Sequence, residues 1–219
     1  MPDQNWANKP GDREGKQSTV SVGANLVFAL LSAAAPRAIT RIAPTVGYQS
    51  SVVRLRITAV VNNQSFPIER GSTTDVPAVI GLIGRVFGEY RFVFEPAEEV
   101  PDLLAFERHY LAPYGAFFVI RSGGDLVGSV GVERLEGGMA ELHRLYVEAA
   151  LRGRGLGRAL VEVVLAWCRA EGIGHLLLWS DTRFDRAHLL YERLGFQRTG
   201  ERALPDLNQS REYRYERQV

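Results

Sequence analysis

The stretch that decides the fold is VEAALRGRGLGRALVEVVLAW, which runs from Val147 to Trp167. Three glycines alternate with charged or apolar residues in its first half, and an apolar repeat follows. That repeat has the spacing of one face of a helix: Leu156, Leu160, Val163, Val164 and Trp167. The stretch therefore predicts a glycine-rich turn that opens a long amphipathic helix.

The turn has the composition of an anion site. The first turn of a helix presents backbone N–H groups without acceptors and the positive end of the helix dipole, and phosphate groups bind there. Glycine lets the backbone approach a ligand closely, and arginine adds charge-assisted hydrogen bonds. The candidate binding residues are Arg152, Gly153, Arg154, Gly155, Leu156, Gly157 and Arg158. A structural alternative is that the turn is only a tight connection.

Two familiar phosphate loops do not fit this turn. A Walker loop requires a lysine, which the turn lacks, and a dinucleotide fingerprint requires a glycine where Arg158 stands. The pattern that remains is Arg152-x-x-Gly155-x-Gly157, between an apolar strand and a long helix.

The flanking segments predict an α/β (α+β) fold. Three apolar runs between residues 115 and 147 are divided by glycine-bearing turns, which predicts an antiparallel meander. Strand-like EGIGHLLLWS and helix-like FDRAHLLYERLG come after the long helix, and a closing hairpin follows. The expected architecture has three layers, with a mixed, mostly antiparallel central sheet flanked by helices.

Charge divides the chain into two parts. Residues 1–65 hold seven Lys and Arg against three Asp and Glu, whereas the remainder is net acidic. We therefore expect an N-terminal extension over 1–65, which is disordered or a targeting segment, and a folded domain over 66–219. A functional basic arm is a further alternative for the extension.

Composition also limits the function classes. The net charge of +1 and the shortness of the Arg-Gly box argue against a nucleic-acid protein, and no apolar run is long enough for a membrane span. The single cysteine, Cys168, lies in an apolar helical pattern and is expected in the core. No metal-ligand pattern appears, and the expected location is cytoplasmic, with organelle targeting by residues 1–65 as the alternative.

Two motifs in order resemble the GNAT superfamily of acyl-CoA-dependent N-acetyltransferases. They are ELHRLYVEAALRGRGLGRALVEVVLAWCRAEGIGHLLLWS and the later AHLLYERLGF, and the resemblance covers about residues 66 to 216. It implies acetyl-CoA as co-substrate, with its diphosphate on residues 152–158. It also implies that the backbone of Leu145, Tyr146 and Val147 binds the pantetheine arm.

The resemblance implies a catalytic pair, Tyr191 as general acid and Glu141 as base. His143 is a competing base, because its usual pKa is closer to neutral pH. Simple strand alternation would place Glu141, His143 and Leu145 on one face of their strand. Phe184 departs from the family, in which many members have asparagine at that position, and Ser180 or Asp181 is the candidate replacement.

The acceptor is expected to be a primary amine of a small molecule or amino-acid-like compound. The segment between residues 87 and 110 is acidic and aromatic, as a cationic substrate would require, although it could also be a solvated loop. The C-terminal DLNQSREYRYERQ is expected to close one side of the pocket.

Two alternatives are acetylation of a protein N-terminus or lysine, and a non-catalytic acyl-CoA-binding domain. A homodimer is compatible with the sequence.

Overall fold

The computed structural model describes residues 57–61 and 64–219. These residues form one eight-stranded sheet with helices packed against it. The strands are β1 (Ile57–Val61), β2 (Gln64–Arg70), β3 (Gly115–Ser122), β4 (Asp125–Arg134), β5 (Met139–Val147), β6 (His175–Asp181), β7 (Gln197–Ala203) and β8 (Arg211–Gln218). The helices are α1 (Val76–Tyr90), α2 (Pro96–Glu99), α3 (Pro101–Leu104), α4 (Phe106–Tyr110), α5 (Leu156–Ala170) and α6 (Asp185–Arg193).

The strand order is β1-β2-β3-β4-β5-β6-β8-β7. Only β5 and β6 run parallel, because α5 connects them, and the other neighbours are antiparallel. The predicted mixed, mostly antiparallel sheet flanked by helices is therefore confirmed.

The N-terminal extension falls mostly outside the described residues, which include neither 1–56 nor 62–63. Within the described part, β1 pairs with β2 in antiparallel register. Strand β1 lies in the part of the sequence that was assigned to the extension.

The long helix α5 buries the predicted face. Leu156, Leu160 and Val164 are fully buried, and Trp167 is partly buried against the same core. Cys168 is buried as expected. The helical spacing of the apolar residues in the sequence is therefore the packing face of α5.

A bulge in β5 corrects one prediction. The register with β4 shifts between Ser129 and Gly131, and Arg144 adopts φ 52° at that point. Its carbonyl accepts a 2.9 Å hydrogen bond from the Ser129 hydroxyl. Because a bulge inserts an extra residue, His143 and Arg144 both reach the side of α4 that carries Tyr110. The simple alternation expected along β5 is therefore wrong from Arg144 onward.

The bulge lies at the start of a gap between the two parallel strands. Pairing of β5 with β6 ends at Leu142 and Leu178, although β5 continues to Val147 and β6 to Asp181. The strands separate at the C-terminal end of the pair, immediately before the loop that enters α5. Beyond Leu142, the edge of β5 that faces β6 therefore no longer pairs with that strand.

Candidate active site

The loop before α5 has the geometry of an anion site. Gly153 and Gly155 have φ of 77° and 86°, in the left-handed region that glycine adopts without steric cost. No side chain caps α5, whose N-cap residue is Gly155. Among the described residues, no protein acceptor takes a hydrogen bond from the backbone amides of residues 155–158. These donors are therefore available to a bound anion.

A basic cavity adjoins these amides. Its volume is about 150 Å³, and its lining comes from the loop and from α6: Gly153, Gly155, Arg158, Arg186, Leu190, Arg193 and Leu194. The Arg158 guanidinium also donates to the Glu162 carboxylate at 2.8 Å, one helical turn away. Arginine side chains from two helices thus add positive charge next to the open helix end.

The Arg152 side chain forms bonds within the protein. Its Nε donates to the Val147 carbonyl at 2.8 Å, and both Nη atoms bond the Glu89 carboxylate of α1 at 2.5 and 2.8 Å. Its backbone amide donates to the Ala149 carbonyl at 3.2 Å. The side chain of Arg152 therefore links the end of β5 to α1, while that of Arg154 is exposed.

The strand residues expected to bind the pantetheine arm lie along the gap. Leu145, Tyr146 and Val147 are buried. One edge of this part of β5 pairs with Ser129 and Gly128 of β4, whereas its pairing with β6 has already ended. The second edge of the strand at residues 145–147 is therefore not paired with β6.

Tyr191 is fully buried on α6. Its ring packs against Phe196 and Tyr215, with ring centroids 5.7 and 5.5 Å apart. Its hydroxyl has no hydrogen-bond partner in the described part of the chain. Burial, together with the neighbouring Tyr146, raises the pKa of Tyr191 well above its usual value, so the phenol stays protonated at neutral pH.

The two candidate bases are neighbours. Glu141 Oε1 lies 4.0 Å from His143 Nδ1, and Glu133 Oε2 lies 3.6 Å from His143 Nε2. Glu133 also contacts the His109 ring nitrogen at 3.0 Å. The structure therefore brings Glu141 and His143 into one chain of titratable groups.

A buried ionic network lies beside them that the sequence analysis missed. The Arg144 guanidinium donates to the Asp102 carboxylate of α3 at 3.0 Å, and the Tyr110 hydroxyl donates to the same carboxylate. Burial alone would raise the pKa of Asp102, but the Arg144 charge outweighs it and holds that pKa well below its usual range. The sequence does contain one sign of this network: Arg144 lies between Leu142 and Leu145 in an apolar strand, and a buried charge requires a partner.

The acidic segment and the C-terminal loop meet at Asn208. The Asn208 amide accepts from the Val93 N–H at 2.9 Å and donates to the Val93 carbonyl at 3.0 Å. It also donates to Glu99 Oε1 at 3.2 Å. The structure thus brings together the two segments that the sequence analysis assigned to the acceptor pocket.

Phe184 belongs to an aromatic cluster. Its ring lies 5.1 Å from that of Tyr90 and 6.0 Å from that of Phe92, centroid to centroid. Of the two candidate polar replacements, Asp181 pairs with Arg183, whereas the buried Ser180 hydroxyl has no partner among the described residues. Ser180 is thus the candidate with a hydroxyl still available.

Two further findings concern metals and membranes. Within residues 57–61 and 64–219, no group of three or more His, Cys, Asp or Glu side chains could hold a metal ion. No helix of this described part has both the length and the apolar character needed to cross a bilayer.

Comparison with known proteins gives a family match. A model of the Acetyltransferase (GNAT) family matches residues 83–196. The uncharacterized N-acetyltransferase YjgM of Escherichia coli is 30% identical over 139 residues, which are 61% of this chain and 83% of that protein. Probable N-acetyltransferase family 8 member 5 of Mus musculus is 36% identical over 104 residues, 45% of this chain and 46% of the relative. The chain thus spans about half the length of this mouse relative.

A solved structure shares the fold. The crystal structure of a GNAT-family acetyltransferase from Staphylococcus aureus superposes with a TM-score of 0.62 at 23% identity. The match covers 70% of this chain and 98% of that one.

Proposed function

The chain belongs to the GNAT acetyltransferase family, and from this premise we propose that it transfers an acetyl group from acetyl-CoA to a primary amine. The acceptor in this proposal is a small molecule or an amino-acid-like compound. The observation that carries the proposal is the open end of α5, where unbonded backbone amides adjoin an arginine-lined cavity.

The residues at this end of α5 fit the diphosphate of acetyl-CoA. The amides of residues 155–158 supply donors, the left-handed Gly153 and Gly155 allow close approach, and Arg158 supplies charge. When bound, acetyl-CoA supplies an acetyl thioester. The open edge of β5 at residues 145–147 would bind the pantetheine arm and donate an N–H group to the thioester oxygen.

In this proposal, side chains take the proton from the amine and give a proton to the leaving thiol. An alkylammonium holds its proton up to a pH of about 10.4, so the acceptor nitrogen must lose a proton before it attacks. Glu141, with His143 beside it, takes that proton in our proposal. Tyr191 is protonated and buried, and it donates its hydroxyl proton to the leaving sulfur. The second proton, which the nitrogen loses as the amide forms, restores the Tyr191 hydroxyl.

Thiol release from acetyl-CoA in the presence of a panel of amines tests the function. We expect Tyr191→Phe to lower the rate by roughly 10²–10⁴-fold, because proton transfer by a positioned group has that value. Thermal stability should not fall, since the substitution removes a buried hydroxyl without a partner. Tyr114→Phe is the control, because Tyr114 is exposed and lies outside the segments assigned to the site.

The same assay separates the alternatives. Thiol release with peptides but not with small amines would indicate a protein N-terminal or lysine acetyltransferase. Binding of acetyl-CoA without transfer to any amine would indicate a non-catalytic acyl-CoA-binding domain. An unchanged rate in Tyr191→Phe would assign that side chain to packing alone.

A further inference from the structure

The backbone of Arg144 has a conformation that its residue type disfavours. Its φ of 52° lies in the left-handed region, which an L-residue other than glycine adopts at a cost in free energy. The residue belongs to the bulge of β5, in which Arg144 and Leu145 lie opposite the single residue Val130 of β4. Contacts with the rest of the protein must therefore stabilise this conformation.

Arg144 is held at both its backbone and its side chain. The Ser129 hydroxyl donates to the Arg144 carbonyl at 2.9 Å. The guanidinium binds the Asp102 carboxylate through two nitrogens, Nε at 3.0 Å and Nη2. Arg144 is only 1% exposed, so water does not compete for this ion pair. The residue is thus fixed from two directions, by β4 and by α3.

A third side chain fixes Asp102. The Tyr110 hydroxyl of α4 donates to the same carboxylate. The Tyr110 ring packs on the backbone of Gly131, where a Cβ atom would lie 2.5 Å from the ring carbon Cε1. Glycine at this position of β4 therefore leaves the room that Tyr110 needs to reach Asp102. The network connects two short helices to both strands of the bulge.

A buried ion pair of this kind adds little to the stability of a fold. The loss of hydration of two charges offsets most of their attraction, and apolar side chains of similar volume are often at least as stabilising. The Arg144–Asp102 pair is therefore better explained by what it holds in place, which is the bulge of β5.

The bulge decides which backbone amides of β5 face the gap between β5 and β6. The Glu148 N–H donates to the Val127 carbonyl of β4 at 2.9 Å. Since N–H groups alternate between the two edges of a strand, those of Leu145 and Val147 point to the other edge. That edge is not paired with β6 beyond Leu142. Because the extra residue of a bulge shifts this alternation by one position, loss of the bulge would change which amides face the gap.

We propose that Arg144 is a positioning residue for acetyl transfer. Its ion pair with Asp102 holds the bulge, and the bulge directs a backbone N–H of Leu145 or Val147 to the oxygen of the acetyl thioester. The inference rests on the proposed function, in which acetyl-CoA binds along β5. Arg144 acts only through the strand, because its guanidinium is bound to Asp102.

A variant that replaces the whole network by apolar side chains tests this role. It combines Asp102→Leu, Tyr110→Phe and Arg144→Met, so that no buried charge loses its partner. We expect kcat to fall roughly 10²–10³-fold, because one amide donor to the developing oxyanion has that value. The affinity for acetyl-CoA, measured by calorimetry, should stay close to that of the wild type, since the loop before α5 is unchanged.

The control is a second double replacement, Arg134→Met with Glu171→Leu. This ion pair also involves β4, but it is exposed and lies outside the segments assigned to the site. Its removal should leave kcat at the wild-type value.

The infrared carbonyl stretch of bound acetyl-CoA gives a readout that a loss of stability alone would not move. An N–H that donates to the thioester oxygen weakens the C=O bond and lowers its stretching frequency. With acetyl-CoA isotope-labelled at the carbonyl carbon, we expect a lowered frequency on the wild type. On the triple variant the frequency should move back toward that of free acetyl-CoA.

Ser129→Ala provides a milder test if the triple variant does not fold. It removes only the hydrogen bond to the Arg144 carbonyl, so kcat should fall roughly 3- to 10-fold and the carbonyl frequency should move in the same direction. A wild-type kcat in the folded triple variant, or a carbonyl frequency that neither variant changes, would overturn the inference.

Binding of acetyl-CoA to the wild type keeps the two proposals apart. If acetyl-CoA binds and no amine is acetylated, the proposed transfer is wrong, and the infrared comparison still decides the role of Arg144. If acetyl-CoA does not bind, both proposals are wrong.

Discussion

At the scale of single residues, the site retains groups that reduce the stability of the fold. Among the described residues, the buried Glu99 carboxylate forms no ion pair, and the buried Tyr191 hydroxyl forms no hydrogen bond. Natural proteins keep such groups chiefly where function requires them. Glu99 is the clearest case, because burial and Asp206 disfavour its charged form.

Glu99→Gln should therefore stabilise the protein in a pH-dependent way. The pKa of Glu99 is about 7 in the folded chain and 4.5 as the ordinary value. A carboxyl whose folded pKa is raised lowers stability as pH rises from the ordinary value to the folded one. We expect a Tm higher than wild type by roughly a few degrees at pH 8 and almost unchanged at pH 4.5. Calorimetric scans at the two pH values measure it, and a lower Tm at pH 8 would contradict the assignment.

The sequence predicted the candidate catalytic residues but neither the buried ion pair nor the bulge in β5. Tyr191 and Glu141 were named from motifs, whereas the Arg144–Asp102 pair joins β5 to a short helix 42 residues earlier. Such long-range pairs depend on tertiary packing, which periodicity in one segment does not encode. The bulge at Arg144 was missed for a related reason, since a non-glycine residue at positive φ carries no local sequence signal.

At the scale of elements, the loop before α5 and the helix itself were the most predictable part of the molecule. Glycine spacing indicated the left-handed turn, and apolar spacing indicated the buried face, because both signals are local. The separation of β5 from β6 has no such local signal. It depends on where two strands stop pairing, and no single segment records that.

Gly155→Asp tests the loop. The substitution places a negative side chain at the open helix end and forces an L-residue to φ 86°, which costs about 1–2 kcal/mol of stability. We expect the affinity for acetyl-CoA to fall at least tenfold, measured by calorimetry. Gly172→Asp is the matched control, because Gly172 has φ 69° and open space around it beyond the other end of α5. Similar loss of acetyl-CoA affinity in both variants would point to strain rather than to the anion site.

At the scale of the whole molecule, the sheet and α5 enclose one core that includes the lone thiol. Cys168 is fully buried in α5, and burial raises the pKa of this thiol to about 12. Thiol reagents attack the thiolate, so neither access nor protonation state favours reaction in the folded protein.

The folded chain should therefore show no reaction with 5,5′-dithiobis(2-nitrobenzoate) over the minutes of a thiol-release assay. Denaturation should release one equivalent of thiol, since the sequence contains one cysteine. Fast labelling of the native protein would mean that α5 opens from the core on that timescale. The matched measurement on Cys168→Ser, which should give no thiol in either state, identifies the source of any signal.

Arg152 ties the entrance of α5 to Glu89, next to the end of α1, and the chain then continues directly into the segment that carries Val93 and Glu99. Acetyl-CoA bound to the loop would therefore act, through the Arg152–Glu89 ion pair, on the segment that carries Val93 and Glu99. We therefore expect ordered binding, in which acetyl-CoA binds before the amine. Glu89→Gln, which removes the charge of this ion pair, should make the order of binding random in initial-rate kinetics.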